Sequence, residues 1–418
     1  MADDVAPHAP APPRVPPGWS KHDRLGLVLS GGGARGMFQA GALQEILAEE
    51  KLGKVTILSG TSAGAINAAL LAHSNRVEDL LSFWHEAAKD QPIRATPHFY
   101  EDLYGSLEEL MRVEGVAIVG ERGYWSTLRG LVTSRKNTAG DLLGRTAVRL
   151  LKQRFPKLIR AIEAVPEASF FDHEQLRDRL VKRLGTRVTP RKGVSLVVSV
   201  VDAHEGTVVR FTTKRPLTGT DKEGEYSCDS AIPIDAILAS ASIPMLLPAV
   251  RTTTKTQSEN APPVERERLC WDGGLLVNTP LAPAVDLDSQ RVLTILCTVG
   301  RVEAAPAFSS LNHALERLAD TFFENTYNVD RKLLLTRNLV AMQEVQLKQR
   351  SSTYRHVWLH KPVRPGPGDV RSYVDFTPES IDAMYESGRR VARNWIREEY
   401  PIEDEIDVAP TPPRPLGD

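Results

Sequence analysis

Between Leu25 and Leu70 the apolar positions switch twice between strand and helix periods. Leu25-Gly26-Leu27-Val28-Leu29-Ser30 is a continuous apolar run of strand length that passes into Gly31-Gly32-Gly33-Ala34-Arg35-Gly36. From Met37 to about Glu50, Phe38, Ala42, Leu43, Ile46 and Leu47 recur at helical spacing. After Gly53 a second apolar run, Val55 to Leu58, enters Gly60-Thr61-Ser62-Ala63-Gly64 and then the helix-forming Ala65 to Leu70. Apolar runs without alternation mark strands covered on both faces. The segment therefore predicts strand, glycine loop, helix, strand, sharp turn and helix, with both turns at the carboxyl edge of a parallel sheet.

Further on, Val77–Ala88 predicts a helix with Leu80, Leu81 and Trp84 on one face. The αβ pattern then lapses from about residue 91 to 190, where Pro92, Pro97, Pro156 and Pro166 interrupt helical stretches, and the segment reads as a cap inserted over a site. Val194–Val201 predicts a strand, Thr207–Thr213 its neighbour, and Ile234–Ser242 a small-residue helix. Arg251–Arg268 is polar and aperiodic and predicts a mobile loop before Leu269-Cys270-Trp271 runs into Asp272-Gly273-Gly274. Val292–Leu296 predicts a buried strand, Phe308 to about Lys348 a long helix, Arg355–His360 a last strand and Pro378–Glu399 a closing helix. The expected organisation is one α/β domain over residues 22–400, between a Pro/Ala-rich tail (1–21) and a Pro-rich tail (401–418).

Composition adds exclusions. A formal charge of −1 on 418 residues gives no argument for nucleic acid. Three scattered cysteines do not make a disulfide framework or a zinc site, and they fit a reducing compartment. The amino end lacks the basic start and apolar core of a signal peptide, and no run approaches the ~18 apolar residues of a membrane span. The expectation is a cytoplasmic protein that meets any membrane peripherally. One stretch bears on that: Arg122 to Arg160 holds Arg129, Arg135, Lys136, Arg145, Arg149, Lys152, Arg154 and Lys157 against the single acid Asp141. With Val148, Leu151, Phe155, Leu158 and Ile162 at helical spacing, it reads either as a surface element for anionic headgroups or as a core helix with a solvated basic face.

The chemistry sits in the two turns. Gly-x-Ser-x-Gly between strand and helix is a nucleophile elbow, in which Gly60 and Gly64 permit the tight backbone and Ser62 is held at the mouth of the sheet. Gly31, Gly33 and Gly36 fit a dinucleotide fingerprint, but the second strand ends Ile57-Leu58-Ser59-Gly60 without the carboxylate that a ribose requires. The better reading of 31–36 is an oxyanion hole, with backbone N–H groups at a helix amino end facing the charge that develops on a carbonyl oxygen.

Gly-Gly-Gly-Ala-Arg-Gly at 31–36 and Gly-Thr-Ser-Ala-Gly at 60–64, followed by Asp272-Gly273-Gly274, together resemble the patatin-like phospholipase family, whose pattern is G-G-G-x-R-G, G-x-S-x-G and D-G-G or D-G-A. Weaker likenesses are Phe171-Asp172, the Val194–Asp202 strand, Leu238 to Pro244 and Val374-Asp375-Phe376. The resemblance implies a three-layer sandwich with a mostly parallel central sheet, an inserted helical cap and a helical carboxyl end. It implies a Ser62–Asp272 dyad, with the oxyanion hole drawn from Gly31, Gly32, Gly33, Arg35 and Gly36, and Gly273 and Gly274 completing the third motif. It implies phospholipid or other acyl-ester substrates, with no cofactor and no metal. Arg35 has two readings, a headgroup contact or an ion pair that fixes the loop. Other classes stay open: a Ser-His-Asp esterase, an acyltransferase, or a non-catalytic lipid- or nucleotide-binding module. None of the ten histidines stands in a triad motif, and alanine at His313, His356 and His360 in turn would expose a triad.

Overall fold

The computed structural model describes residues 23–90, 94–95, 171–217, 226–244, 246–256, 264–300, 311–346 and 354–398. Both terminal tails, the basic stretch 122–160 and most of the segment read as a cap lie outside them. The chain divides into two compact units. The smaller spans 93–174 with 244–248, and it holds a short antiparallel pair, Arg94–Ala95 with Phe171–Asp172. The main sheet and the candidate site belong to the larger unit.

Its main sheet has nine strands among the described residues: β1 (Arg24–Leu29), β2 (Lys54–Gly60), β3 (Ser195–Asp202), β4 (Val208–Thr212), β5 (Tyr226–Cys228), β6 (Val250–Thr256), β7 (Val264–Asp272), β8 (Arg291–Ile295) and β9 (Trp358–Leu359). Strands β3, β2, β1, β8 and β9 run parallel in that order. The helices are α1 (Gly36–Ile46), α2 (Ala63–Ser74), α3 (Val77–Asp90), α4 (Glu174–Leu184), α5 (Ile234–Ser240), α6 (Leu281–Asp286), α7 (Leu311–Gln346) and α8 (Pro378–Arg397).

Alternate residues of β1 feed two cores. Leu25, Leu27 and Leu29 join the one built with α1, α2, α3 and α8, while Val28 joins Leu281, Val292, Tyr327 and Leu334 of α6, β8 and α7. The sheet is thus a middle layer between helices, as its unbroken apolar strands require. Helix α1 is buried almost all round because α8 packs on it. The two backbones approach at Gly41, where a Cβ would strike the carbonyl oxygen of Tyr385, and at Gly388, where it would strike that of Phe38.

The mobile loop expected at Arg251–Arg268 is instead mostly a hairpin. Strands β6 and β7 pair antiparallel from Val250↔Cys270 to Thr256↔Val264. Thr252 and Thr254 are buried, and Arg268 is buried because its guanidinium meets Asp202 at 2.7 Å and Glu205 at 2.6 Å. Its inward positions are β-branched hydroxyls and a paired cation, so apolar alternation does not reveal it.

This hairpin brings Asp272 to the elbow. Along one edge of β3, residues 197–201 pair with β4. The opposite edge is shared: Val198 pairs with Gly60 at the end of β2, and two residues on Val200 pairs with Asp272 at the end of β7. Two positions along a strand is about 7 Å. The carboxylate therefore arrives just past the carboxyl end of the strand that delivers Ser62.

Candidate active site

Ser62 stands at φ 55° and ψ −129°, a left-handed conformation for a non-glycine residue, between the last residues of β2 and the amino end of α2. Such a backbone costs ~1–3 kcal/mol and persists only where the surroundings fix it. They do. The Ser62 N–H donates to Ser240 Oγ at 3.0 Å, and the Ser240 hydroxyl donates to the carbonyl of Ser199 at 2.7 Å. The Ser62 carbonyl accepts from Ala65 and Ile66 in α2. The tight crossing leaves no room for a Cβ at Gly60, which faces Gly64 O, or at Gly64, which faces Leu29 O.

Asp272 caps a single 3-10 turn, Gly273–Leu275, accepting the Gly274 N–H at 2.6 Å, and the Ser62 side chain lies near enough to its carboxylate to lower its proton affinity. Its own N–H donates to Ser242 O at 2.9 Å. Burial pushes the carboxyl up to about 7, although Gly274 and Ser62 pull the other way. Among the described residues no imidazole bonds either Ser62 or Asp272. His85 is paired with Asp382 at 2.8 Å, the His204 N–H closes the turn on Asp202, and burial beside Arg291 pushes His360 down to about 3.

The glycine loop abuts the serine: a Cβ at Gly31 would lie 3.0 Å from that of Ser62. Its amides are not equivalent. The Gly31 N–H donates to Asn278 O at 2.9 Å, Ala34 to Tyr373 O at 2.8 Å, Arg35 to Gly32 O at 3.0 Å, and Gly36 to Gly33 O. Among the described residues the N–H groups of Gly32 and Gly33 have no partner, which narrows the candidate donors to these two. Gly33 takes φ +53° against the carbonyl of Tyr373, a place that only glycine fills without strain. The Arg35 side chain is turned into the protein, with Nη1 donating to Asp320 at 2.7 Å and Nε to Arg371 O at 2.7 Å. Its surroundings match the ion-pair reading rather than the headgroup one.

Several contributing residues were not singled out from the sequence. Ser240 lies inside a stretch noted for its small residues and, as Leu238 to Pro244, for a weak family likeness, neither of which gave this residue a role. Asn278 brackets Gly31 through its own carbonyl and, at 3.4 Å, its amide on Gly31 O. A buried chain ties the two turns together: Trp84 Nε1 donates to Asn67 Oδ1 at 2.8 Å, Asn67 Nδ2 to Gly36 O at 2.9 Å, and Gln39 Nε2 to Ser30 O at 2.8 Å. Polar residues at apolar helix positions were the available clue. Among the described residues no group of His, Cys, Asp and Glu could hold a metal ion, and no helix is long and apolar enough to cross a membrane.

The family model of patatin-like phospholipases matches residues 27–285. Triacylglycerol lipase 4 of Saccharomyces cerevisiae is 31% identical over 157 residues, which are 38% of this chain and 16% of the yeast protein. Among solved structures, VipD from Legionella pneumophila aligns at 14% identity and TM-score 0.31, over 90% of this chain and 67% of that one. The type III effector ExoU aligns at 15% identity and TM-score 0.32, over 92% and 54%.

Proposed function

The chain belongs to the patatin-like phospholipase family, and on that premise we propose that it hydrolyses fatty-acyl esters of lipids, phospholipids foremost, through Ser62 and Asp272. The observation that carries the reading is the convergence of two chain-distant turns: β3 pairs with Gly60 at the tip of β2, just before Ser62, and two residues on with Asp272, a buried carboxyl raised to about 7. An ordinary carboxylate is a weak base for an alcohol, and burial narrows the gap. As Ser62 Oγ attacks the ester carbonyl carbon, its proton passes to Asp272 and the carbonyl oxygen becomes an oxyanion. The N–H groups of Gly32 and Gly33 receive that charge, and removal of one such donor typically costs ~10²–10³ in rate. Asp272 then returns the proton to the departing alcohol, leaving an acyl-serine. Water, deprotonated by Asp272, releases the fatty acid and restores Ser62.

The partner surface is part of the same proposal. The basic stretch Arg122–Arg160 is suited to anionic headgroups, and sedimentation with anionic and neutral liposomes tests it; equal binding to both, or none, removes it.

The central test is labelling with a fluorophosphonate probe together with fatty-acid release from a panel of phospholipids and neutral lipids. Wild-type protein is expected to label and to release acid, and Ser62→Ala to do neither. Undiminished release by Ser62→Ala would overturn the reading.

A further inference from the structure

Arg35 is 3% exposed, and its partner comes from a distant element, Asp320 in α7. The same Asp320 oxygen, Oδ1, accepts the Tyr373 hydroxyl at 2.7 Å. Tyr373 lies in the loop before α8, with its ring 3.8 Å from the guanidinium carbon of Arg35. The guanidinium also donates to the carbonyls of Arg371 and Cys297. Two contacts carry this assembly into the glycine loop. The Tyr373 carbonyl accepts the Ala34 N–H at 2.8 Å and walls off Gly33, and the Cys297 side chain stands where a Gly32 Cβ would be. The two glycines without amide partners are thus backed by residues that Arg35, Asp320 and Tyr373 hold in place.

We propose that Asp320 and Tyr373 are positioning residues for the oxyanion hole: they lock Arg35 inward so that the N–H groups of Gly32 and Gly33 stay turned to the carbonyl oxygen. Neither touches the reacting atoms. A cation held by a buried carboxylate and an aromatic face has one orientation in place of several. Preorganised amides stabilise an oxyanion because nothing need reorient as the charge forms. Both residues, with Arg371 and Cys297, lie beyond the stretch 27–285 matched by the family model, so a core motif depends here on the carboxyl-terminal third of the chain.

The inference rests on the hydrolase reading above, and the experiment separates the two. Full-length Asp320→Asn and Tyr373→Phe are compared with wild type and Ser62→Ala for kcat and KM on an acyl ester, and for melting temperature. Inhibition is measured with a long-chain trifluoromethyl ketone and with the matching unreactive ether. Ser62 adds to the ketone carbon, its proton passes to Asp272, and the ketone oxygen becomes an oxyanion, so the ketone reads the hole and the ether reads ground-state binding. The expected result is a kcat lower by about 10- to 100-fold with KM within about threefold. Ketone affinity should fall by the same factor as kcat/KM, with ether affinity unchanged. Equal losses for ketone and ether, or kcat within twofold of wild type in variants that melt lower, would overturn the clamp and leave the hydrolase standing. Activity retained by Ser62→Ala would instead remove the hydrolase reading. Should Asp320→Asn not fold, Tyr373→Phe decides alone, since it keeps the ion pair and loses one hydroxyl.

Discussion

Asp272 is where stability and chemistry oppose each other. Its carboxyl is raised to about 7 by burial, so the folded protein holds that proton more tightly than the unfolded chain, where the group ionises near pH 4. Stability is therefore greatest below about pH 4 for this group, is lost as pH rises to about 7, and changes no further above it. The proposed dyad needs the opposite form, and log kcat/KM is expected to fall with unit slope below about pH 7. Asp272→Asn separates the two. Turnover should drop by ~10²–10⁴, while the melting temperature rises above that of wild type by a margin that grows from pH 4 to 7 and then levels. A variant less stable than wild type at pH 8 would show that the carboxylate is held by more than its contacts with Gly274 and Ser62. The serine and the aspartate of the proposed dyad stand out in the sequence because each sits beside glycines, and such glycines leave a mark there. Ser240 and Asn278 do not, since a single hydroxyl or amide bonding to backbone has no local signature.

At the scale of elements, the parallel strands could be read from their apolar runs and the β6–β7 hairpin could not. A buried ion pair ties it to β3: Arg268 and Asp202 expose only 7% and 3% of their side chains. Burial alone would raise the Asp202 carboxyl, but N–H bonds from Glu205 and His204 and the Arg268 guanidinium bring it below its usual value. Removing one partner of such a pair leaves a buried charge uncompensated. Arg268→Ala is expected to lose about 3–5 kcal/mol in urea unfolding at pH 7. The deficit should shrink as pH is lowered into the carboxylate range and the stranded acids take up protons. A loss below ~1 kcal/mol at pH 7 would mean that the threonines and strand pairing fix the hairpin without the cation.

Across the whole larger unit, the first and last helices are one structural piece. Gly41 and Gly388 let α1 and α8 meet backbone to backbone, so Gly388→Val has no flexible side chain to displace. It is expected to destabilise by about 1–3 kcal/mol, read as a lower melting temperature with Ser62 still labelled at low temperature. The closing helix could be read from its period, but not its partner, because helical spacing says which face is apolar and nothing of what covers it. The shared edge of β3 has a temporal consequence. Ser62 precedes Asp272 by 210 positions, so at a ribosome elongating ~5–20 residues per second the serine emerges on the order of 10–40 s ahead of its base. Until β7 takes its place beyond the tip of β2, the nascent chain carries Ser62 without the carboxylate that the proposed dyad needs to receive its proton, so on that proposal acyl-ester cleavage must wait for the synthesis of β7.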